Sequence, residues 1–188
     1  MRHIATLVAG MALLAGCGEP TTTETTDFQP RVAANQGLGA EVNQQLADLR
    51  RVTAAFHDFD VASHAGWETP ITGCMTDAGG AGGMGFHYGN TDLINGTATV
   101  ENPQLLLYEP EKNGRLRLVA VEYIIPYAFH SRDAEPPVLF GQKFQQVDSF
   151  QLWGLHAWVW KENPSGIFKP WNPNVGCANA TASVSMSH

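Results

Sequence analysis

The segment Phe150–Trp160, with the sequence FQLWGLHAWVW, constrains the fold more than any other part of the chain. If it forms a β-strand, its side chains alternate between two faces, and apolar or aromatic residues occupy both of them. Such a pattern is typical of a central strand that is covered on both sides. The exception is His156, which stands in the middle of one aromatic row. A buried imidazole needs a hydrogen-bond partner or a metal ion, so the identity of that partner bears directly on function.

The remaining segments predict an α+β fold. Between Ala40 and Ala65, apolar residues recur at steps of three and four, which predicts one long N-terminal amphipathic helix of about seven turns. Arg115–Pro126 alternates as a strand, and shorter strand-like segments are Thr97–Glu101, Gln104–Tyr108 and Val138–Gln145. We therefore predict that the helix packs on a twisted, mainly antiparallel β-sheet that can curl toward a barrel.

Length and charge limit the classes of function. A chain of 188 residues with 44% hydrophobic residues is long enough for one compact domain with its own core. The formal net charge is −7, and no run of lysine or arginine exceeds the pair Arg50 and Arg51. Nothing would neutralise phosphates, which argues against nucleic acid as a partner. The chain also lacks a GxSxG motif, so serine hydrolase chemistry has no visible nucleophile.

The first twenty residues carry an export signal. Met1–His3 is a short positive segment, and Ile4–Leu14 is an apolar segment too short to span a bilayer. The sequence LAGC, which ends at Cys17, resembles the lipobox of bacterial lipoproteins. The resemblance implies cleavage before Cys17, lipid on that cysteine and anchoring at a membrane. Because Gly18 replaces the aspartate of the family's retention rule, the implied location is the outer membrane, at its periplasmic face or at the cell surface.

We divide the chain into four parts. Residues 1–16 are the signal peptide, and residues 17–36 are the lipidated N-terminus and a flexible tether rich in Thr, Glu, Asn and Pro. Residues 37–178 form a single globular domain, and residues 179–188 form a frayed tail. With Cys17 used for lipid, Cys74 and Cys177 are an even pair in a compartment that permits disulfides. No CxxC spacing supports a thiolate metal site, so we predict a disulfide between them.

Three polar residues lie in segments that are predicted to be buried or constrained. His87 follows a glycine-rich stretch that we interpret as a loop, Glu122 lies on an apolar face of a predicted strand, and His156 lies in the aromatic row. Two imidazoles and a carboxylate can bind one divalent metal ion, such as zinc, copper, iron or manganese. The same groups can instead form a hydrogen-bonded core network. Both interpretations fit the sequence, because no compact metal-binding spacing ties the three residues together. Secondary candidates for the same site are Asp60, His64, Tyr88, Tyr123 and His130.

Several short segments are also similar to those of an exported bacterial family that is itself uncharacterised. They are MGFHY, VEY and LHAWVW, followed by NPSGIF and WNP. The resemblance covers most of residues 53–177, and it supports these positions as a set without implying an activity.

Two functions follow from these observations. The first is a lipid-anchored domain that binds a metal or small ligand, and that is catalytic if a coordination position stays open. The second is a non-catalytic envelope interaction or glycan-binding module, in which the His and Glu residues form a structural network. Exposed side chains at Trp158, Trp160 and Trp171 would favour the second function, whereas tryptophans buried around the His/Glu group would favour the first.

Overall fold

The structure, a computed structural model, describes residues 37–180. Two α-helices come first, α1 (Ala40–Thr53) and α2 (Phe59–His64), with a 3₁₀ turn at Ala54–His57 between them. Further 3₁₀ turns lie at Thr91–Leu93 and Asp148–Phe150. The strands in this part of the chain are β1 (Thr69–Thr76), β2 (Gly83–Gly89), β3 (Leu105–Pro110), β4 (Leu116–Pro126), β5 (Val138–Leu139), β6 (Gln142–Lys143), β7 (Gln145–Val147) and β8 (Leu152–Ala157). The predicted mixture of helix and antiparallel sheet is confirmed.

Six strands form one curled antiparallel sheet, in the order β1-β2-β3-β4-β8-β7. Strands β5 and β6 form a separate two-stranded hairpin. Strand β8, which lies within the aromatic segment of the sequence, pairs with β4 on one side and with the three-residue β7 on the other. Its two apolar faces therefore match a strand that has neighbours at both edges and a packed layer on each side.

The helices cover one face of the sheet. Leu46 and Leu49 of α1 are fully buried there, and the hydroxyl of Tyr108 donates a hydrogen bond of 2.7 Å to the backbone carbonyl of Phe56. The strand residues of this core are Phe86, Tyr88, Leu106, Tyr108, Leu118, Val121, Tyr123, Ile125, Trp153, Leu155 and Ala157. In β2, β3 and β8 these residues occupy alternate positions, as the period of a β-strand requires. Strand β4 departs from this alternation between Leu118 and Val121.

The C-terminal segment covers the opposite face. Val175 packs there in a second core with strand residues that include Leu107 and Ile124. Asn172 and Gly83 exchange two backbone hydrogen bonds, of 3.0 and 3.1 Å. The predicted Cys74–Cys177 disulfide is present and fastens the segment to β1. Because it joins residues 103 positions apart, it contributes about 2–5 kcal/mol to the free energy of unfolding on the scale of comparable native bridges.

The predicted helix from Ala40 to Ala65 is not continuous. Asp58 has an extended backbone, with φ −88° and ψ 111°, and its side chain accepts a hydrogen bond from the backbone N–H of Asp60. A carboxylate in that position satisfies a donor that a helix start leaves unpaired, so Asp58 interrupts the helix and caps α2. Beyond the break, the ring of Phe59 packs against that of Tyr88, with 4.4 Å between the centroids.

The glycine-rich stretch before His87 is a turn at residues 77–82, as predicted, but from Gly83 onward it is a strand rather than a loop. It forms β2 and pairs with β1, a strand that was not predicted. Gly85 adopts φ +82°, and a Cβ atom there would lie 2.3 Å from the carbonyl oxygen of Tyr108. Glycine is therefore needed at this position because the neighbouring backbone approaches closely, which a sequence pattern does not reveal.

Two other strand predictions need correction. Residues 97–101 form no strand and contribute only an isolated bridge between Thr99 and Asn102. Within residues 138–145, the chain folds back on itself as the β5–β6 hairpin, and Phe140 and Gly141 at its turn have positive φ angles. The edge strand beside β8 is instead β7, which begins at the last residue of the predicted segment.

Only some of the predicted boundaries between the parts of the chain fall within residues 37–180. The signal peptide, Cys17 and the tether of residues 17–36 lie outside the described residues, as do residues 181–188 of the tail. The side-chain amide of Asn179 donates to the carbonyl of Pro110 at 3.3 Å, and the backbone N–H of Ala180 donates to that of Cys177 at 2.9 Å. The packed domain thus extends at least two residues beyond the predicted end at 178. Neither α-helix between residues 37 and 180 has the length and apolar character that a membrane span requires.

Candidate metal centre

Three strands place the predicted ligands on one face of the sheet. Glu122 of β4 and His156 of β8 are directly opposite each other in the strand register, so their side chains project from the same face. His87 of β2 is opposite Leu107 of β3, which is opposite Ala120 of β4. Strand β3 therefore lies between His87 and Glu122, a separation of roughly 9–10 Å between the outer strands. Both side chains are long enough to meet above it.

A bulge in β4 puts Glu122 on this face. Leu107 pairs with Ala120, whereas Tyr108 pairs with Leu118, so Val119 is an extra residue. Strict alternation would put Leu118 and Glu122 on the same face. Instead, Leu118 packs in the core beneath the helices, and Val119 packs in the core beneath the C-terminal segment. The bulge thus lets one strand supply apolar residues to the helix side and a carboxylate to the other side.

The potential ligand atoms converge. Nε2 of His87 is 3.5 Å from Oε2 of Glu122, and Nε2 of His156 is 3.8 Å from Oε1 of Glu122. One ligand atom from each residue lies within 4.8 Å of the others, and no second group of three such side chains in residues 37–180 does the same. In a tetrahedral zinc site with bonds of about 2.0–2.1 Å, ligand atoms are about 3.3 Å apart. The three groups could therefore hold a metal ion after small side-chain shifts.

The three groups are not hydrogen bonded to one another. Nε2 of His156 is buried and has no hydrogen-bond partner within the described part of the chain, which is costly for a polar atom in a core. Nδ1 of His87, by contrast, is 2.8 Å from Oγ1 of Thr72. That contact orients the ring with Nε2 toward Glu122, as partners of metal-bound histidines commonly do. The arrangement favours a ligand site over the hydrogen-bonded network that the sequence also allowed.

Burial shifts the pKa of each group toward its neutral form. Loss of hydration raises the pKa of Glu122 to about 8. The same cause lowers the pKa of His87 to about 4 and that of His156 to about 3. Although Glu122 lies within 4 Å of both imidazoles, burial thus disfavours the charged form that an ion pair would require of each group. A divalent cation would replace the proton of Glu122 and use the lone pairs of two imidazoles that are already neutral.

The site forms the polar end of a cavity of about 290 Å³. Most of the other lining side chains are apolar, among them Met84, Leu105 and Ile124. Gly154 makes room at the polar end, because a Cβ atom there would lie 2.9 Å from Oε1 of Glu122.

Replacing Gly154 with alanine is expected to weaken metal binding about tenfold, because the added methyl group displaces the carboxylate from the two imidazoles. Competition with a chromophoric chelator measures the affinity. The matched control is Gly73→Ala, in another strand, where a Cβ atom meets nothing within 4 Å; its affinity should stay within about twofold of wild type. Equal affinities for the two variants would show that Gly154 does not position the carboxylate.

The secondary candidates lie apart from this group. Asp60 and His64 are exposed on α2, where Nδ1 of His64 is 2.7 Å from the backbone oxygen of Asp60. Tyr88 and Tyr123 belong to the core beneath the helices, on the other face of the sheet. His130 follows β4, and its Nε2 contacts a backbone carbonyl at 2.8 Å.

Sequence reasoning missed two residues that shape the site, Thr72 and Gly154. Thr72 lies in β1, and the run Thr69–Thr72, which is rich in β-branched residues, was the available signal for that strand. Gly154 lay in a correctly predicted strand, but its role depends on the position of Glu122 in a neighbouring strand. No local pattern contains that information.

The fold and the site define a class: an α+β domain whose antiparallel sheet carries a buried group of two histidines and one glutamate beside an apolar cavity. No protein-family model, curated protein or solved structure matches the chain.

Proposed function

We propose that this protein binds one divalent transition metal ion through Nε2 of His87, the carboxylate of Glu122 and Nε2 of His156. The observation that carries the proposal is that three buried ligand atoms converge without hydrogen bonds between them. One of the three, Nε2 of His156, has no hydrogen-bond partner among residues 37–180. Two nitrogens and one carboxylate suit zinc, copper, iron or manganese better than magnesium or calcium, which prefer oxygen ligands.

Three protein ligands leave at least one coordination position free on the metal. Catalytic zinc sites with two histidines and one glutamate keep such a position for water or substrate, whereas structural zinc sites fill all four. In this domain the cavity lies beside the ligand group, which supports exchange of a small ligand at the metal. Catalysis would require that this ligand be a substrate.

The alternative function is a non-catalytic envelope interaction or glycan-binding module. Such a module would present tryptophan side chains to solvent. Trp158 is only 3% exposed, and its ring lies nearly parallel to that of His156, with 13° between the planes. Trp160 and Trp171 are partly buried, and Trp171 lines the cavity. Because no tryptophan is fully exposed in residues 37–180, this criterion supports the metal site.

Metal analysis of the purified full chain tests the proposal. After dialysis against zinc, copper, iron or manganese, the wild type is expected to retain about one ion per chain, and His87→Ala/His156→Ala is expected to retain none. The matched control is His64→Ala/His130→Ala, which removes two histidines outside the site and should retain the metal. A well-folded wild type that binds none of the four metals would refute the proposal.

We also propose that the protein is exported and anchored to the outer membrane by lipid on Cys17. The lipobox sequence LAGC supports this location, and so does the disulfide, since such bonds persist in oxidising compartments. Labelled palmitate should be incorporated into the wild-type chain and not into a Cys17→Ser chain. Incorporation into both chains would show that Cys17 is not the site of lipid attachment.

A further inference from the structure

The cavity at the proposed metal site combines a polar group with an apolar body. The polar group consists of the three proposed ligands, and the body is lined mainly by apolar side chains such as Ile71, Met75 and Met84. Further polar lining residues are Thr72, Gln145 and Ser149. Among residues 37–180, no lysine or arginine lines it. Ser149 and Phe150 are exposed at its rim, so a molecule can enter from solvent.

The size of the cavity limits what it can hold. Its volume is about 290 Å³, roughly twice the ~150 Å³ of an engineered apolar cavity that binds benzene. This volume is also at the lower end of the range of ligand pockets in proteins, roughly 300–1,000 Å³. A substituted benzene ring or a short branched chain fits these dimensions, whereas a nucleotide or an oligosaccharide does not.

The charge of the metal-loaded site selects the ligand's polar group. A divalent ion bound by one carboxylate and two neutral imidazoles leaves one positive charge in a region that is otherwise apolar. A buried charge of this kind is stabilised by one opposite charge placed next to it. Among simple metal-binding groups, a carboxylate is already ionised at neutral pH, whereas thiols and phenols keep their protons there.

We infer that the cavity binds a small apolar monocarboxylate, whose carboxylate completes the coordination of the metal and whose hydrocarbon body fills the apolar part of the cavity. This inference rests on the metal site proposed above. The carboxylate neutralises the remaining charge, and the hydrocarbon body displaces water from apolar walls.

Titration of the cobalt-loaded full chain tests the inference, because the visible d–d absorption of Co²⁺ changes when a ligand enters its coordination shell. The probes are benzoate, acetate and benzyl alcohol, which separate the carboxylate from the apolar body. Benzoate is expected to bind at least about tenfold more tightly than acetate, since burial of a phenyl ring strengthens binding by that factor or more. Benzyl alcohol should leave the spectrum unchanged at the same concentrations.

A cavity-filling variant distinguishes the ligand site from the metal site. Met84→Trp fills the apolar body without replacing a proposed metal ligand, so it should keep cobalt and lose the preference for benzoate. Met75→Trp, from the edge strand β1, serves the same purpose if the first variant does not fold. Val138→Trp, at a position that is 60% exposed, is the matched control and should keep the preference. Cobalt binding with equal affinity for benzoate and acetate would overturn the inference alone, whereas absence of cobalt binding would overturn the metal site as well.

Discussion

Glu122→Gln is expected to lower the affinity for zinc by at least about a hundredfold while the fold is retained. Changing a residue that only orients a metal ligand lowers metal affinity 10–100-fold. Loss of the one anionic ligand should lower the affinity more than that. The amide has nearly the shape of the carboxyl group. It has no acidic proton that a metal ion could displace, so it cannot become an anionic ligand. Competition with a chromophoric chelator measures the affinity, and near-ultraviolet circular dichroism reports the fold.

The same substitution is expected to leave the metal-free protein at least as stable as wild type at pH 7. Burial raises the pKa of Glu122 from 4.5 to about 8, so between these values the folded chain binds the proton that the unfolded chain has released. The free energy of unfolding of the wild type therefore falls as the pH rises through this window. Glutamine does not titrate, so urea denaturation of the variant should show less of this dependence. A variant that is much less stable than wild type at pH 7 would mean that Glu122 is ionised in the folded protein.

Gly85→Ala is expected to destabilise the domain by at least about 4 kcal/mol. Its backbone has φ +82°, and the new Cβ would lie 2.3 Å from the carbonyl oxygen of Tyr108. Since the obstacle is backbone in the adjacent strand, it cannot be relieved by rotating a side chain, and β2 must move away from β3. His87 is two residues further along β2, so metal affinity should fall as well. Urea denaturation and chelator competition measure the two effects.

Gly80→Ala separates the effect of backbone strain from the effect of a steric clash. Gly80 has nearly the same backbone angle, φ +85°, but a Cβ atom there meets nothing within 4 Å. Its replacement should cost only about 1 kcal/mol, the usual penalty for a left-handed residue. Equal losses for the two variants would mean that the contact with Tyr108 yields easily and that only the backbone angle matters.

The strongest sequence predictions concerned strands with pronounced apolar patterns. The alternation in residues 115–126 and 150–160 located β4 and β8. It also identified Glu122 and His156 as polar residues on apolar faces, and both are buried. Those residues were therefore recognisable as a pair of buried groups that needed partners. His87 was selected for a different reason, its place after a glycine-rich stretch, and that stretch proved to be a turn up to residue 82 and a strand from Gly83 onward.

Other features depend on contacts between segments that are distant in sequence. The apolar spacing of residues 40–65 outweighed the signal of Asp58, a residue suited to begin a helix, so the break was missed. The extra residue at Val119 results from pairing with β3 and has no local signature. The same holds for the contact of Thr72 with His87, since it requires the pairing of β1 with β2.

The disulfide links two parts of the protein that enclose the site. Cys74 lies two residues after Thr72 in the edge strand β1, and Cys177 ends the segment that contributes Pro170 and Trp171 to the cavity wall. While both thiols are reduced, only non-covalent contacts, such as the two hydrogen bonds between Asn172 and Gly83, hold this wall to the sheet. The order of maturation then matters for the metal site proposed above: oxidation before metal loading fixes the wall covalently, whereas loading before oxidation takes place while the wall is held less firmly.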